Sequence, residues 1–104
     1  MPATLFLVRA VVAPDLREKF DAWYSAEHLP WAIRIFKCDK AWRFWSETEP
    51  GVHYAAYRFA DKASCDTALG SAEFKDMVAE FSRTWPEGVA RTRAVVTLAE
   101  EREG

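Results

Sequence analysis

The sequence predicts an α+β fold of order β-α-β-β-α-β, a four-stranded antiparallel sheet with both helical regions on one face. Three observations predict it. Apolar, β-branched and aromatic runs recur at 4–12, 40–48, 52–60 and 89–99. Apolar residues at helical spacing fill 14–28 and 74–85. Proline or glycine marks most of the joins. At 104 residues the chain is read as one domain, 1–104, with one core.

Strand one is "TLFLVRAVV", 4–12. Pro14 ends it and suits the first turn of a helix, where its missing N–H is not needed. In "PDLREKFDAWYSAEH", Leu16, Phe20, Trp23 and Tyr24 share a face. Pro30 disfavours helical geometry at Leu29, so this helix is expected to stop near His28. A short irregular or helical segment then runs through "PWAIRIF". Strand two is "KAWRFWSET", the "PG" at 50 and 51 is a turn, and strand three is "VHYAAYRFA". Asp61 caps the second helical region, which Gly70 and Ser71 interrupt. Phe74, Met77, Val78, Phe81 and Trp85 continue it until Pro86 and Gly88. Strand four is "VARTRAVVTLA", and "EEREG" frays. This order is the ferredoxin-like split βαβ pattern.

Composition excludes several classes. Half the residues are hydrophobic and 29% charged, the signature of a globular chain. A net charge of −2 without runs of one sign gives no footprint for nucleic acid or an anionic membrane. No stretch is long enough to span a bilayer, and the start lacks the basic region of a signal peptide; a cytoplasmic location is expected. Cys38 and Cys65 fit neither a disulfide framework nor a zinc site. The two histidines, His28 and His53, give no metal signature, and no cofactor motif is present. The chain contains no asparagine or glutamine, so a site must do without a carboxamide.

Strand alternation predicts which rows pack on the helices. The purely apolar rows are Phe6, Val8, Ala10 and Val12; Trp42 and Phe44; and Ala94, Val96 and Leu98, with His53, Ala55, Tyr57 and Phe59 completing the face. That leaves an open face carrying Arg9, Arg43, Arg58 and Arg93 among Leu5, Leu7, Trp45 and Tyr54. Such a surface is too apolar to stay wet. A second copy packed face to face would cover it, closing a homodimeric α/β barrel. The arginines then either pair with carboxylates at the rim or form a cationic pocket for a carboxylate or phenolate ligand.

The element order and the stretch "FDAWYSAEHLPWAI" together resemble the dimeric α/β-barrel superfamily, most nearly its EthD-like members. There the first helix often ends in tryptophan, a polar spacer, histidine, one residue and proline, here Trp23, His28 and Pro30. The resemblance implies a dimeric barrel with a pocket between helices and sheet, and it does not fix a reaction. Its haem-degrading members use an asparagine, which this chain lacks.

His28 is the candidate catalytic residue. Aromatic neighbours favour the neutral imidazole, able to act as a base near pH 7, while the helix end favours the cation. The competing reading is a histidine that caps its own helix. Glu27 is either a buried acid or, once the last turn unwinds, solvated or paired with Arg34. His53 reads as a solvated strand-end residue. Two functions follow. In one, a cofactor-free enzyme of oxygenase, isomerase or cyclase type takes a small aromatic or carbonyl compound between Trp23, Tyr24, Trp31, Trp45 and Tyr54. His28 then accepts a proton and Arg43 or Arg58 holds the substrate's oxygen. In the other, a non-catalytic dimer binds a small ligand or assists another enzyme, with His28 structural.

Overall fold

The structure is a computed structural model describing residues 2–104. Strands β1 (Thr4–Val12), β2 (Lys40–Trp45), β3 (Val52–Phe59) and β4 (Val89–Thr97) form one antiparallel sheet in the order β2-β3-β1-β4. Helices α1 (Arg17–Trp23), α2 (Leu29–Phe36), α3 (Lys62–Leu69) and α4 (Ala72–Thr84) cover one face. Pro14 opens a short 3₁₀ turn that leads into α1. The Asp61 carboxylate accepts from the Ser64 N–H, and Ser71 Oγ accepts from the Phe74 N–H, so each helix of the interrupted pair has its own cap. Gly51 and Gly88 take φ of 78° and 79° at the entries to β3 and β4.

The first helix does not stop at His28. Residues Tyr24–His28 form a π turn, in which the Leu29 N–H bonds the Tyr24 carbonyl, and α2 continues directly from it. Pro30 falls in the first turn of α2. The wide turn supplies a place where its missing donor breaks no regular bond. Lys37, at φ 55°, ends the run.

The interior is aromatic. Phe6, Phe20, Tyr24, Phe36, Tyr57, Phe74 and Phe81 are all buried in one cluster with Met77 and Cys65. Phe6 touches Phe36, Tyr57 and Phe74 with ring centroids 5.8–6.0 Å apart, tying α2, β3 and α4 to β1. Cys38 and Cys65 are free thiols.

The register corrects two strand faces. Central strands β1 and β3 turn the expected rows to the helices, since Phe6 pairs with Tyr57 and Ala10 with His53. The edge strands are reversed. Tyr57 pairs with Ala41 and His53 with Trp45, so Arg43 and Trp45 lie under the helices while Trp42 and Phe44 lie outside. Phe6 pairs with Val95 and Val8 with Arg93, so Arg91, Arg93 and Val95 face the helices and Ala94 and Val96 face out. Edge rows are only half covered, and there the arginine heads find partners beneath the helices, Arg43 on Asp21 and Arg91 over the Phe81 ring. The open face therefore carries Leu5, Leu7, Val11, Trp42, Phe44 and Val96, and Phe44 is 51% exposed. Among the described residues no helix is long and apolar enough to cross a membrane.

Candidate functional site

A cavity of about 170 Å³ separates α4 from the sheet and opens beside edge strand β4. Phe74, Met77, Val78 and Phe81 of α4 form its roof, and Phe6, Val8 and Tyr57 its floor. Tyr24 and His28, both on the π turn, close the inner end, and Arg91 and Arg93 stand on the β4 side. The helical spacing that makes α4 amphipathic thus supplies the apolar wall. The widened turn sets Tyr24 and His28 side by side, with ring centroids 4.7 Å apart.

His28 is 5% exposed and makes no capping hydrogen bond. Its ring stacks on Trp23 at 4.7 Å and 25° and meets Phe81 edge-on at 5.4 Å. Nδ1 is buried without a hydrogen-bond partner among the described residues. Burial first, then the positive charge of Arg91, lowers its pKa to about 4, so the imidazole is neutral at pH 7. On its other side an outer groove is lined by Trp23, Glu27, Trp31 and Glu80. Glu27 is exposed there.

His53 is not solvated. It is 1% exposed on central strand β3, packed between Phe20, Tyr24 and Trp45 with centroids 5.2, 4.8 and 4.9 Å away. Burial is the main cause that lowers its pKa, again to about 4. Tyr24 and Tyr57 are 2% and 1% exposed, and their hydroxyls lie 2.9 Å apart. Burial pushes Tyr24 up to about 12 and Tyr57 well above the ordinary phenol value, so both stay protonated.

The other sequence-selected residues are placed elsewhere. Arg43 Nη1 donates to Asp21 Oδ1 at 3.0 Å, and the Trp45 indole N–H donates to the same oxygen at 2.7 Å. These donors, Trp45 first, hold the Asp21 carboxyl below the usual carboxylate range. The node joins α1 to β2 and lies outside the cavity. Tyr54 and Arg58 are on the open sheet face, Arg58 Nε lying 3.9 Å from Asp39 Oδ1. His28 and Tyr24 line the cavity, Trp23 and Trp31 line the outer groove on the far side of His28, and Arg43, Trp45, Tyr54 and Arg58 line neither.

The cations at the cavity are instead Arg91 and Arg93, and the second phenol is Tyr57. The Arg91 guanidinium lies over the Phe81 ring and donates to the Val78 carbonyl and Ser82 Oγ at 3.2 and 3.3 Å. Arg93 lies over Phe74 at 5.3 Å and has no carboxylate partner among the described residues. The available signal was the pair of arginines two apart in strand four, which a strand must place on one face. Among the described residues no group of three or more His, Cys, Asp or Glu is positioned to hold a metal ion.

No protein-family model matches the chain, and no curated protein matches it by sequence. Solved structures do. An EthD family protein from Bacillus halodurans superposes with a TM-score of 0.68 at 16% identity, covering 95% of this chain and 99% of that one. SnoaB, a cofactor-independent oxygenase from Streptomyces nogalater, in an N63A mutant form, gives 0.71 at 12% identity over 95% of both chains. The Mycobacterium tuberculosis protein Rv0793 gives 0.61 at 22% identity over 97% of both. The chain has the ferredoxin-like α/β fold that these EthD-type and cofactor-independent oxygenase-type proteins share.

Proposed function

We propose that this chain binds a small aromatic or carbonyl compound in the cavity under α4 and removes a proton from it without a cofactor, using His28 as the base. The observation that carries the reading is the unpartnered Nδ1 of a buried, neutral His28 at the end of an apolar cavity with Arg91 and Arg93 at its side. A C–H or O–H proton beside a carbonyl or phenol passes to His28, and the bonding pair stays on the substrate as an enolate or phenolate. The arginines favour that anion. The anion in turn offsets the desolvation that makes His28 a weak base in the empty site, strengthening it as charge develops. Reprotonation at another carbon would be isomerisation, and attack on a second carbonyl cyclisation. With dioxygen as oxidant, a phenol would gain one oxygen atom as a quinone carbonyl and release the other as water.

The SnoaB likeness supports the last of these, since that protein is a cofactor-independent oxygenase. The apolar open face supports a homodimer, in which a second sheet covers Leu5, Leu7, Trp42 and Phe44.

The test is a thermal-stabilisation screen of single-ring phenols and aryl ketones on the unaltered protein and on His28→Ala. Ligands that stabilise only the unaltered protein, and exchange a carbon-bound proton with deuterated water only there, are the expected result. Ligands that stabilise both equally without exchange would leave a binding protein in which His28 is structural.

A further inference from the structure

The buried phenol pair has one more proton than it can use. Tyr24 and Tyr57 bring two O–H groups together and share one contact, 2.9 Å long. One hydroxyl donates to the other, and the second proton has no acceptor among the described residues. Neither side chain is more than 2% exposed, so bulk water does not reach it freely. Leaving a buried donor unmade costs about 1–3 kcal/mol. Both residues line the cavity.

We infer that the Tyr24–Tyr57 pair is a built hydrogen-bond donor for one ligand oxygen, so that the cavity selects compounds presenting a carbonyl or phenolate oxygen to this end. The inference deepens the proposed function, resting on it for a ligand in this cavity. The pair polarises itself, because the accepting hydroxyl becomes a stronger donor when its partner donates to it. Their raised pKa values keep both protons in place across the physiological range. His28 lies against Tyr24, so a carbon next to the held oxygen is presented to the base. During proton removal the negative charge moves onto that oxygen, where the donor counts most. The cavity size suits a single ring, since an apolar cavity of about 150 Å³ holds benzene.

The experiment compares acetophenone with ethylbenzene, a pair alike in shape but differing in the carbonyl, by NMR titration. The proteins are the unaltered chain and the double variant Tyr24→Phe/Tyr57→Phe. Removing both hydroxyls leaves no orphan, so the double variant is expected to fold. Acetophenone should weaken about tenfold in the double variant, the equivalent of one hydrogen bond, while ethylbenzene does not weaken. In the unaltered protein the carbon-13 carbonyl resonance of bound acetophenone should move downfield of its position in cyclohexane, a readout that needs no variant. Unchanged ketone affinity in the double variant, equal weakening of both probes, a carbonyl resonance at the cyclohexane position, or no binding of either probe would each overturn the inference. Deuterium exchange of the acetophenone methyl group separates this from the role of His28. Exchange without ketone-specific weakening removes the phenol donor and spares the base. Ketone-specific weakening without exchange supports the donor and removes the base.

Discussion

The guanidinium carbon of Arg91 lies 3.7 Å from the centroid of the Phe81 ring, stitching edge strand β4 to α4 across the mouth of the cavity. Arg93, one pleat along, covers Phe74 more loosely and lacks the hydrogen bonds that hold Arg91 to Val78 and Ser82; neither has a carboxylate partner among the described residues. Their roles should separate on mutation. Arg91→Ala loses packing and two hydrogen bonds, and denaturant unfolding should show a loss of about 1–2 kcal/mol. Arg93→Gln should leave stability nearly unchanged and weaken benzoate severalfold, with acetophenone unaffected. The benzoate effect should shrink as salt is raised. Equal weakening of both ligands would argue against a charge role for Arg93.

Stability should fall with acid in a window set by two histidines. The folded values of about 4 for His28 and His53 lie below the ordinary 6.5. Between those limits the unfolded chain binds protons that the folded chain refuses. The stabilisation from keeping both rings neutral is therefore fully present above pH 6.5 and is lost progressively as pH falls to 4. Each ring contributes on the order of 3 kcal/mol to that loss. Urea midpoints at pH 7, 5.5 and 4 should show it, and His53→Phe should flatten the slope by roughly half. A wild-type midpoint constant across this range would contradict the burial of both rings.

The Asp21 node is expected to be architectural. Arg43→Ala leaves the half-exposed Asp21 carboxylate to water and the Trp45 indole and should cost about 1 kcal/mol. Acetophenone affinity should stay the same, because Arg43 does not line the cavity. A large loss of affinity in a well-folded variant would restore Arg43 to the site.

The open sheet face should hold a second copy. Phe44, 51% exposed, stands on it opposite Tyr54. Phe44→Glu would place a charge on this apolar face, and sedimentation should then read a monomer where the unaltered chain reads a dimer. A monomeric unaltered chain at micromolar concentration would remove the partner altogether.

Much of this was legible in residue order. The central strand β1 announces its face by a purely apolar row ending in Val12, and β3 by a row that is apolar beyond His53 and ends in Phe59. The edge strands mislead, since in β2 and β4 the arginine-bearing row lies under the helices and the row with Trp42 and Phe44, or Ala94 and Val96, faces out. Arginine in a strand suggests an outward row, and that inference fails where its guanidinium can lie over the ring of Phe81 or Phe74. His53 follows a turn, which suggests exposure, but strand order places it mid-sheet, and strand order is not written in local spacing. Pro30 is a genuine break signal whose effect was absorbed one turn earlier. The sequence therefore points to Arg43 on the opposite edge and Arg58 on the outer row of β3 where the cavity has Arg91 and Arg93, while Tyr24 and the α4 stripe follow from helical spacing and His28 from its place beside them.

The π turn at Tyr24–His28 also acts as a phase adjuster between α1 and α2. Each residue in a regular helix advances the face by about 100°. Deleting Ser25 would close the turn to regular α geometry and keep the residues beyond it in phase with Phe20, whereas winding the full-length run uniformly would swing them round by one residue. The shortened chain should therefore keep Ala32 and Phe36 on the sheet, and what it changes is the spacing of Tyr24 and His28 at the chamber.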